Sequence, residues 1–167
     1  GIKKNISSNL VSKADIESQE MIVGRIRKFF PGEAILAEEG DLDRAAKTMS
    51  RGPLWVIDPL DGTVNFLHGF PAFVVTIAFC IDGQPVLGVV YDPIRDEMFW
   101  GQSGAGAWLG AGRKPIRLKI SRTPKLGDSL MITGFGYDRR EKADFYLSYY
   151  KAFMTVCHDV RRMGAAA

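Results

Sequence analysis

The sequence predicts an α+β fold in which an antiparallel sheet is flanked by two long helices. Apolar residues recur at helical spacing over residues 16–30 and again over residues 139–156. Between these segments, short apolar runs alternate with glycine-rich turns, a pattern typical of consecutive antiparallel strands. The 167 residues are 46% hydrophobic and 25% charged. This composition excludes a disordered chain and a coiled coil, and it supplies the core of one globular domain.

The first helix, predicted over residues 16–30, ends before Pro31 and Gly32. Ser12 and Asp15 have the spacing of a capping box, in which each side chain accepts a hydrogen bond from the backbone N–H of the other residue. Both residues are therefore predicted to mark the entrance of the helix. This capping role alone is enough to explain Asp15.

The strands and the second helix follow in chain order. Residues 54–57 form a short buried-type run, and residues 73–81 and 85–91 flank Asp82-Gly83, a pair typical of hairpin turns. In the second helix, an aromatic stripe predicts packing against a core rather than a cofactor site. The further strands are predicted over residues 97–102, 116–120 and 129–133, and the stripe consists of Phe145, Tyr149, Phe153 and Val156.

Charge and cysteine usage limit the class of partner. Lys+Arg 22 against Asp+Glu 19 leaves a net charge of +3, which is too small to require nucleic acid or an anionic membrane. Cys80 and Cys157 have no metal-type spacing, so they are predicted to be small core residues of a protein in the reducing cytoplasm. No apolar run approaches the roughly 20 residues of a membrane span. Neither His68 nor His158 has the spacing of a zinc ligand.

One segment, residues 55–66, carries a pattern that indicates chemistry. Asp58 and Asp61 follow a buried-type strand, and Pro59 restricts the backbone between them so that both carboxylates can converge. Carboxylates and a backbone carbonyl, here that of Leu60, are the oxygen ligands that Mg²⁺ prefers. The segment therefore predicts a site for a hard cation.

Two neighbouring features extend this predicted site. Gly62 permits close approach of the backbone, and the successive N–H groups of Gly62 and Thr63 can form a nest for phosphate oxygens. Glu38 and Glu39 follow a short apolar run, so their carboxylates can lie at the exit of a strand. Plainer interpretations stay open, namely a surface turn for the aspartates and a solvated face for the glutamates.

Seven separated motifs occur in a recognisable order. They are residues 11–15 (VSKAD), 37–39 (AEE), 55–66 (WVIDPLDGTVNF), 68–71 (HGFP), 88–93 (GVVYDP), 104–107 (GAGA) and 161–166 (RRMGAA). Together they resemble the inositol monophosphatase family over essentially the whole chain. The resemblance implies a layered αβ sandwich and the Mg²⁺-dependent, lithium-sensitive hydrolysis of small phosphate monoesters by metal-activated water.

The resemblance also implies a set of metal ligands. Glu38, Asp58 and the Leu60 carbonyl would hold a first Mg²⁺, and Asp58 would bridge to a second ion that is also held by Asp61. Physical chemistry agrees with this division, because carboxylates so close together repel one another unless cations neutralise them. Two ions can then stabilise both the attacking and the leaving oxygen of a displacement at phosphorus.

Further roles follow from the same resemblance. Thr63 and Asp15 would orient the attacking water, and Glu39 would be a nearby supporting carboxylate. The amides of Gly62 and Thr63 would receive the phosphate, and the backbone at Ala166 would contact the substrate alcohol. Asp15 can serve this role and cap the helix at the same time.

The sequence departs from the family pattern in three ways. Ser12 stands where a threonine is usual, and Gly136 stands where bacterial relatives often have proline. The family also continues into a second subdomain, whose Trp-Asp motif supplies another metal-binding aspartate, and no such motif follows Phe66 here. We therefore expect residues 1–167 to be the metal- and phosphate-binding N-terminal part of the fold, without the C-terminal subdomain and with little or no turnover alone.

Several alternatives stay open for the substrate and the function. Inositol monophosphate is expected first, but hydrolases of fructose 1,6-bisphosphate, histidinol phosphate and nucleotide 3′-phosphates share the metal motifs. An alternative from another class is a non-catalytic module that binds nucleic acid through basic residues, although a solvated hairpin face explains them more simply. Those residues are Arg113, Lys114, Arg117, Lys119, Arg122 and Lys125. The expected partner is a small phosphate ester, without membrane or nucleic acid, and a homodimer is left open.

Overall fold

Two β-sheets organise the fold in this computed structural model, which describes residues 11–39, 52–136 and 138–165. The strands of the larger sheet are β1 (Ala34–Ala37), β2 (Pro53–Asp61), β3 (Val74–Ile81), β4 (Gln84–Asp92), β5 (Glu97–Gln102), β6 (Gly106–Leu109) and β7 (Ile116–Arg117). They lie side by side in chain order. Neighbours from β2 to β7 pair antiparallel, as predicted, whereas β1 pairs parallel to β2. The α+β class is confirmed.

The first helix, α1 (Lys13–Phe29), begins with the predicted capping box. The Ser12 amide donates a hydrogen bond to Asp15 Oδ2 at 2.7 Å, and the Asp15 amide donates to Ser12 Oγ at 3.3 Å. The helix packs against β2. Its apolar face is only partly covered by the rest of the protein, since Ile26 is buried whereas Ile16 is exposed.

Strand β2 contains a bulge between Asp58 and Asp61. Asp58 lies opposite Thr76 and Asp61 lies opposite Val74, so three steps along β2 correspond to two steps along β3. In a regular strand, residues three apart point to opposite faces of the sheet. The extra residue brings both aspartates to the same cavity. Pro59 is tolerated here because a bulge does not need its missing N–H.

The chain leaves β2 through Gly62 and enters a short helix, α2 (Thr63–Leu67). Gly62 has a left-handed backbone with a φ of 99°. A Cβ atom at this position would lie 2.9 Å from the carbonyl oxygen of Ala72. Both the backbone angle and the space therefore require glycine between the aspartates and Thr63.

A smaller sheet follows, with two parallel strands, β8 (Leu130–Ile132) and β9 (Asp159–Arg161). They are joined through the second long helix, α3 (Ala143–Met154), which contacts β9. This helix is shorter than the predicted 139–156. Residues 138–142 form a turn instead, in which the Asp138 carboxylate accepts a hydrogen bond from Lys142 Nζ at 2.7 Å.

Three sequence predictions are corrected by the structure. The aromatic stripe of α3 is exposed rather than packed, with Phe145 and Tyr149 at 55% and 57% exposure and Phe153 and Val156 exposed as well. Cys80 and Cys157 are half-buried and do not belong to the core. The strand predicted over residues 116–120 is limited to Ile116–Arg117. Within the described residues, no helix has the length and hydropathy needed to cross a membrane.

Candidate functional site

A cavity of about 510 Å³ opens at the carboxyl ends of both pairs of parallel strands. Glu38 and Glu39 directly follow β1, while Asp58 and Asp61 lie near the end of β2. We call these four residues the carboxylate end of the cavity. Much of the remaining lining consists of residues that follow β8 and β9. Such strand ends are a common place for ligands in proteins with parallel strands.

The cavity brings together most of the residues predicted for the site. Its lining includes Glu38, Glu39, Asp58, Leu60, Asp61, Gly62 and Thr63. Asp15 is not part of the lining; it is 1% exposed and reaches the lining by a hydrogen bond with Thr63. Ala166, predicted to contact the substrate alcohol, lies outside the described residues, while the preceding Ala165 lines the cavity.

The negative charges of the carboxylate end repel one another, and this repulsion opposes the ionisation of Asp58. Burial of the Asp58 carboxyl, together with the negative charge of Glu38, raises the pKa of Asp58 to about 7. Burial also raises the pKa of Glu38 and of Glu39. Asp58 and Glu38 share a hydrogen bond that favours the proton on Asp58. Without a cation, the site therefore retains a proton near neutral pH.

This donor set fits a hard divalent cation. Mg²⁺ takes carboxylate and carbonyl oxygens and usually keeps waters or substrate phosphates among its ligands. A cation would replace the proton on Asp58 and relieve the repulsion from Glu38. In the described residues, however, no three His, Cys, Asp or Glu side chains can enclose an ion by themselves. The Leu60 carbonyl and oxygens from solvent or phosphate are needed to complete such a site.

Asp15 connects α1 to the cavity. Its Oδ1 accepts a hydrogen bond from Thr63 Oγ1 at 2.9 Å, and its Oδ2 accepts hydrogen bonds from the amide and the hydroxyl of Ser12. Thr63 Oγ1 also lies 3.1 Å from the Leu60 carbonyl oxygen. A hydroxyl has only one proton, and a carboxylate is the stronger acceptor. The Thr63 proton therefore points to Asp15, which leaves the Thr63 lone pairs to accept from another donor.

Helix α1 also fixes two segments of the carboxylate end. Ser18 Oγ donates a hydrogen bond to the Pro59 carbonyl at 3.0 Å. Gln19 donates through Nε2 to the Glu39 carbonyl at 3.1 Å and accepts from the Glu39 amide at 3.0 Å. Asp15, Ser18 and Gln19 are three and four residues apart, so they share one face of the helix. This polar face was not predicted, because the helix was identified from the spacing of its apolar residues.

Three further residues were not predicted for the site, namely Asn65, Arg139 and Arg162, all of which line the cavity. Asn65 Nδ2 donates to the carbonyl oxygens of Ala72 at 2.6 Å and Met163 at 2.9 Å, which ties α2 to the segment after β9. Its place in the same motif as the aspartates was the available signal. Arg162 likewise lies in the motif of residues 161–166, whereas Arg139 had only its charge, which is common on any surface.

Comparisons with known proteins place the chain in a family. The model of the inositol monophosphatase family matches residues 2–167. The inositol-1-monophosphatase of Synechocystis is 40% identical over 99% of this chain and 55% of its own length. The fructose-1,6-bisphosphatase/inositol-1-monophosphatase of Thermotoga maritima is 34% identical over 99% of this chain and 58% of its own length.

A solved structure gives the same result for the fold. The crystal structure of the extragenic suppressor protein SuhB from Bartonella henselae has a TM-score of 0.86 and 32% identity, and the match covers 100% of this chain and 61% of that one. The chain thus spans little more than half the length of the curated relatives it matches. With the match of the family model to residues 2–167, these likenesses show that the chain belongs to the inositol monophosphatase family.

Proposed function

We propose that this chain forms the metal- and phosphate-binding part of a Mg²⁺-dependent, lithium-sensitive hydrolase of small phosphate monoesters, with inositol monophosphate as the first substrate. The family is one of metal-dependent phosphoric monoester hydrolases. The observation that carries the proposal is the excess charge of the carboxylate end, where the pKa of Asp58 rises to about 7 because of burial and the charge of Glu38. We place this activity in the cytoplasm, with a small phosphate ester as the partner.

The metal ligands would divide between two ions. Glu38, Asp58 and the Leu60 carbonyl would hold the first, and Asp58 and Asp61 would hold the second, with Glu39 in support. All of them line the same cavity. Bound there, such ions would polarise the phosphoryl oxygens and lower the pKa of a water molecule.

The protein's own groups would orient the water and the phosphate. Thr63 Oγ1 donates a hydrogen bond to Asp15 Oδ1 at 2.9 Å. The Thr63 oxygen would therefore accept a hydrogen bond from the attacking water and fix the orientation of that water. The amides of Gly62 and Thr63 would bind phosphate oxygens, helped by the left-handed backbone of Gly62. The backbone at Ala166 would contact the substrate alcohol.

Phosphate release from inositol 1-phosphate tests this proposal. We expect release that requires Mg²⁺ and falls when Li⁺ is added. We also expect Mg²⁺ to raise the melting temperature, because a ligand of the folded state stabilises it. Turnover by residues 1–167 alone is expected to be weak. A chain that neither binds Mg²⁺ nor is stabilised by it, together with no activity in a version of the relatives' length, would overturn the proposal.

Thr63→Val tests the role of the hydroxyl. The variant keeps the size of the side chain and the backbone amide but removes the hydrogen bond to Asp15. In a version of the relatives' length, we expect phosphate release to fall by about 100-fold, because the attacking water loses the group that would orient it. The free energy of unfolding should fall by about 1–2 kcal/mol because buried Asp15 loses a donor. Thr63→Ser is the matched control and should retain most of the activity and most of the stability. Equal activity of Thr63→Val and Thr63→Ser would contradict the proposed role of the hydroxyl.

A second candidate is the hydrolysis of a sugar bisphosphate. The relative from Thermotoga maritima is named for both fructose 1,6-bisphosphate and inositol 1-monophosphate. Histidinol phosphate and nucleotide 3′-phosphates belong in the same substrate panel. A non-catalytic module bound to nucleic acid is separated from all of these by Asp58→Asn, because salt-dependent RNA binding that survives this change would favour the module.

A further inference from the structure

Two adjacent residues of helix α1 hold the backbone of the carboxylate end from outside the cavity. Ser18 Oγ donates a hydrogen bond to the Pro59 carbonyl at 3.0 Å. The side chain of Gln19 forms hydrogen bonds with both the amide and the carbonyl of Glu39. Ser18 and Gln19 are half-buried and lie outside the lining of the cavity. They therefore act on the site through the backbone that they contact.

The peptide group between Pro59 and Leu60 connects Ser18 to the proposed metal ligands. Its carbonyl accepts the hydrogen bond from Ser18, and its N–H, on Leu60, donates to Asp58 Oδ1 at 3.1 Å. Because a peptide group is planar, the bond at its carbonyl also restricts the direction of its N–H. The Asp58 carboxylate, proposed to bridge two ions, is thus oriented from α1.

Gln19 has the same effect at the end of β1. Its Oε1 accepts a hydrogen bond from the Glu39 amide at 3.0 Å, and its Nε2 donates to the Glu39 carbonyl at 3.1 Å. The Glu39 amide belongs to the same planar peptide group as the Glu38 carbonyl. The Glu38 amide donates to the Ile57 carbonyl at 3.1 Å. Glu38, a proposed ligand of the first ion, is therefore fixed by β2 on one side and by α1 on the other.

The two hydrogen-bonded segments come from different strands. The paired residues of β1 and β2 end with Ala37 and Ile57, so Glu38 and Asp58 lie just beyond the paired part of these strands. The two helix residues are neighbours in the chain, and their Cα atoms stay about 3.8 Å apart. Helix α1 therefore adds a second connection between the two strand ends and fixes the spacing of the ligands that they carry.

The helix is itself anchored beside these contacts. Asp15 is 1% exposed and accepts a hydrogen bond from Thr63 Oγ1 at 2.9 Å, and Ile26 is buried further along the helix. Residues three and four apart lie on one face of a helix, so Asp15, Ser18 and Gln19 meet the site together. A helix anchored in this way can hold both strand ends at a constant distance.

A constant spacing of oxygen ligands discriminates between divalent cations. Mg²⁺ requires near-octahedral ligands at about 2.0–2.1 Å, whereas Ca²⁺ accepts about six to eight oxygens at about 2.3–2.6 Å in variable geometries. Ligands that are less firmly held should therefore lose more affinity for Mg²⁺ than for Ca²⁺. A general loss of stability, in contrast, would weaken the binding of both ions alike.

We infer that Ser18 and Gln19 are positioning residues of the metal site, and that they favour Mg²⁺ over Ca²⁺ by fixing the spacing of its ligands. This inference rests on the proposed function, because it takes the carboxylate end to be the metal site. Removal of a group that orients metal ligands typically lowers metal affinity about 10- to 100-fold. The ratio of the dissociation constants for Mg²⁺ and Ca²⁺ is the quantity that reports such a role.

Ser18→Ala tests the first contact by titration calorimetry of the 167-residue chain with Mg²⁺ and, separately, with Ca²⁺. We expect the Kd for Mg²⁺ to rise about 10-fold and the Kd for Ca²⁺ to rise less than about threefold. Ser18→Thr retains the hydroxyl and should keep the parent's ratio. Ser148→Ala is the matched control and should change neither constant, because exposed Ser148 also donates to a backbone carbonyl, that of Phe145 at 2.7 Å.

Gln19→Met tests the second contact in the same titrations. Methionine keeps the length of the side chain but has no N–H to donate and only a weakly accepting sulfur. We expect the Kd for Mg²⁺ to rise about 10-fold or more and the Kd for Ca²⁺ to rise less. Gln102→Met, at an exposed position outside the cavity lining, is the control and should change neither constant. If Gln19→Met does not fold, Ser18→Ala decides, because it removes a single hydroxyl.

The outcomes separate this inference from the proposed function. A shift of the ratio towards Ca²⁺ in Ser18→Ala and Gln19→Met, with no shift in the controls, supports the inference. A parent chain that binds Mg²⁺, with the same ratio in both variants, overturns the inference alone. An equal rise of both dissociation constants also overturns it, since this indicates a general structural role. A parent chain that binds neither ion overturns the metal site on which both proposals rest.

Discussion

Asp58→Asn is expected to abolish Mg²⁺ binding and, in a version of the relatives' length, to reduce phosphate release by more than about 1,000-fold. Asp58 is the residue proposed to touch both ions, and it lies beside Glu38, whose charge helps to raise its pKa to about 7. Asparagine keeps the shape but supplies a neutral oxygen in place of a charged one. Loss of a ligand shared by two ions removes the charge stabilisation at both attacking and leaving oxygens.

The same substitution should stabilise the metal-free protein at alkaline pH. The folded chain holds the Asp58 proton up to about pH 7, whereas the unfolded chain releases it near pH 4. The folded state thus binds more protons between these values, so the free energy of unfolding falls as the pH rises through this window. Because Asp58 is only half-buried, solvent screening limits the effect to about 1–2 kcal/mol. Asparagine removes this dependence.

Melting temperatures between pH 5 and pH 8, with and without Mg²⁺, measure both effects. Without metal at pH 8, we expect Asp58→Asn to melt about 3–6 °C above the parent. With Mg²⁺, the parent should gain stability and the variant should not. Asp128→Asn, on the exposed surface, is the control and should follow the parent throughout. A variant that is still stabilised by Mg²⁺ would show that Asp58 is not a ligand.

Mg²⁺ affinity should also rise with pH through the neutral range. Metal binding must displace the proton that Asp58 retains because of burial and the charge of Glu38. Below about pH 7, the proton competes with the ion, and the apparent affinity should fall by up to about tenfold per pH unit. Calorimetric titration with Mg²⁺ at pH 6 and pH 8 checks this. An affinity that does not change with pH would mean that the ion binds elsewhere.

The elements predicted correctly are those specified by neighbouring residues. The capping box of Ser12 and Asp15 and the hairpin at Asp82-Gly83 each depend on a few adjacent positions, and both occur where predicted. The two turn residues have positive φ values of 51° and 74°, which Asp and Gly tolerate better than most residues. Local chemistry of this kind can be read without knowing the rest of the fold.

Features that depend on distant partners could not be read in this way. The parallel pairing of β1 with β2 depends on which strand lies beside β1, and the four residues of β1 do not specify that neighbour. Apolar spacing defined α3, but its stripe from Phe145 is exposed in the described structure, because spacing does not say what covers a face. In α1, Ser18 and Gln19 form hydrogen bonds with residues of the site. The sequence alone does not show which groups such polar side chains will contact.

The predicted site residues lie together at one cavity, but the predicted cause of their convergence was wrong. Each residue predicted to bind a metal ion lines one cavity, and so do both residues whose amides are predicted to bind phosphate. The spacing of these residues within their motifs made them recognisable in the sequence. The convergence of Asp58 and Asp61 was predicted from the restricted backbone of Pro59. The structure gives a different cause, the extra residue of the bulge opposite Thr76 and Val74, which can be seen only once strand pairing is known.

Gly62→Ala is expected to have the largest effect on stability, about 2–5 kcal/mol of unfolding free energy. A non-glycine residue at a φ of 99° costs about 1–2 kcal/mol. The added Cβ would also lie 2.9 Å from the Ala72 carbonyl oxygen and 3.1 Å from Phe73 Cβ. This backbone and side chain must shift, at a further cost of about 1–3 kcal/mol. The shift would move Thr63, so phosphate release should fall as well.

Gly32→Ala separates the two causes of this loss. Gly32 has nearly the same φ, 96°, but a Cβ there would meet no atom within 4 Å. Urea unfolding of both variants should therefore show about 1–2 kcal/mol for Gly32→Ala, with no loss of Mg²⁺ binding. The additional loss in Gly62→Ala then measures the contact with residues 72 and 73. Equal losses in the two variants would mean that the left-handed backbone alone requires glycine at position 62. The chain around the phosphate-binding amides could then shift to accommodate the added Cβ without a further loss of stability.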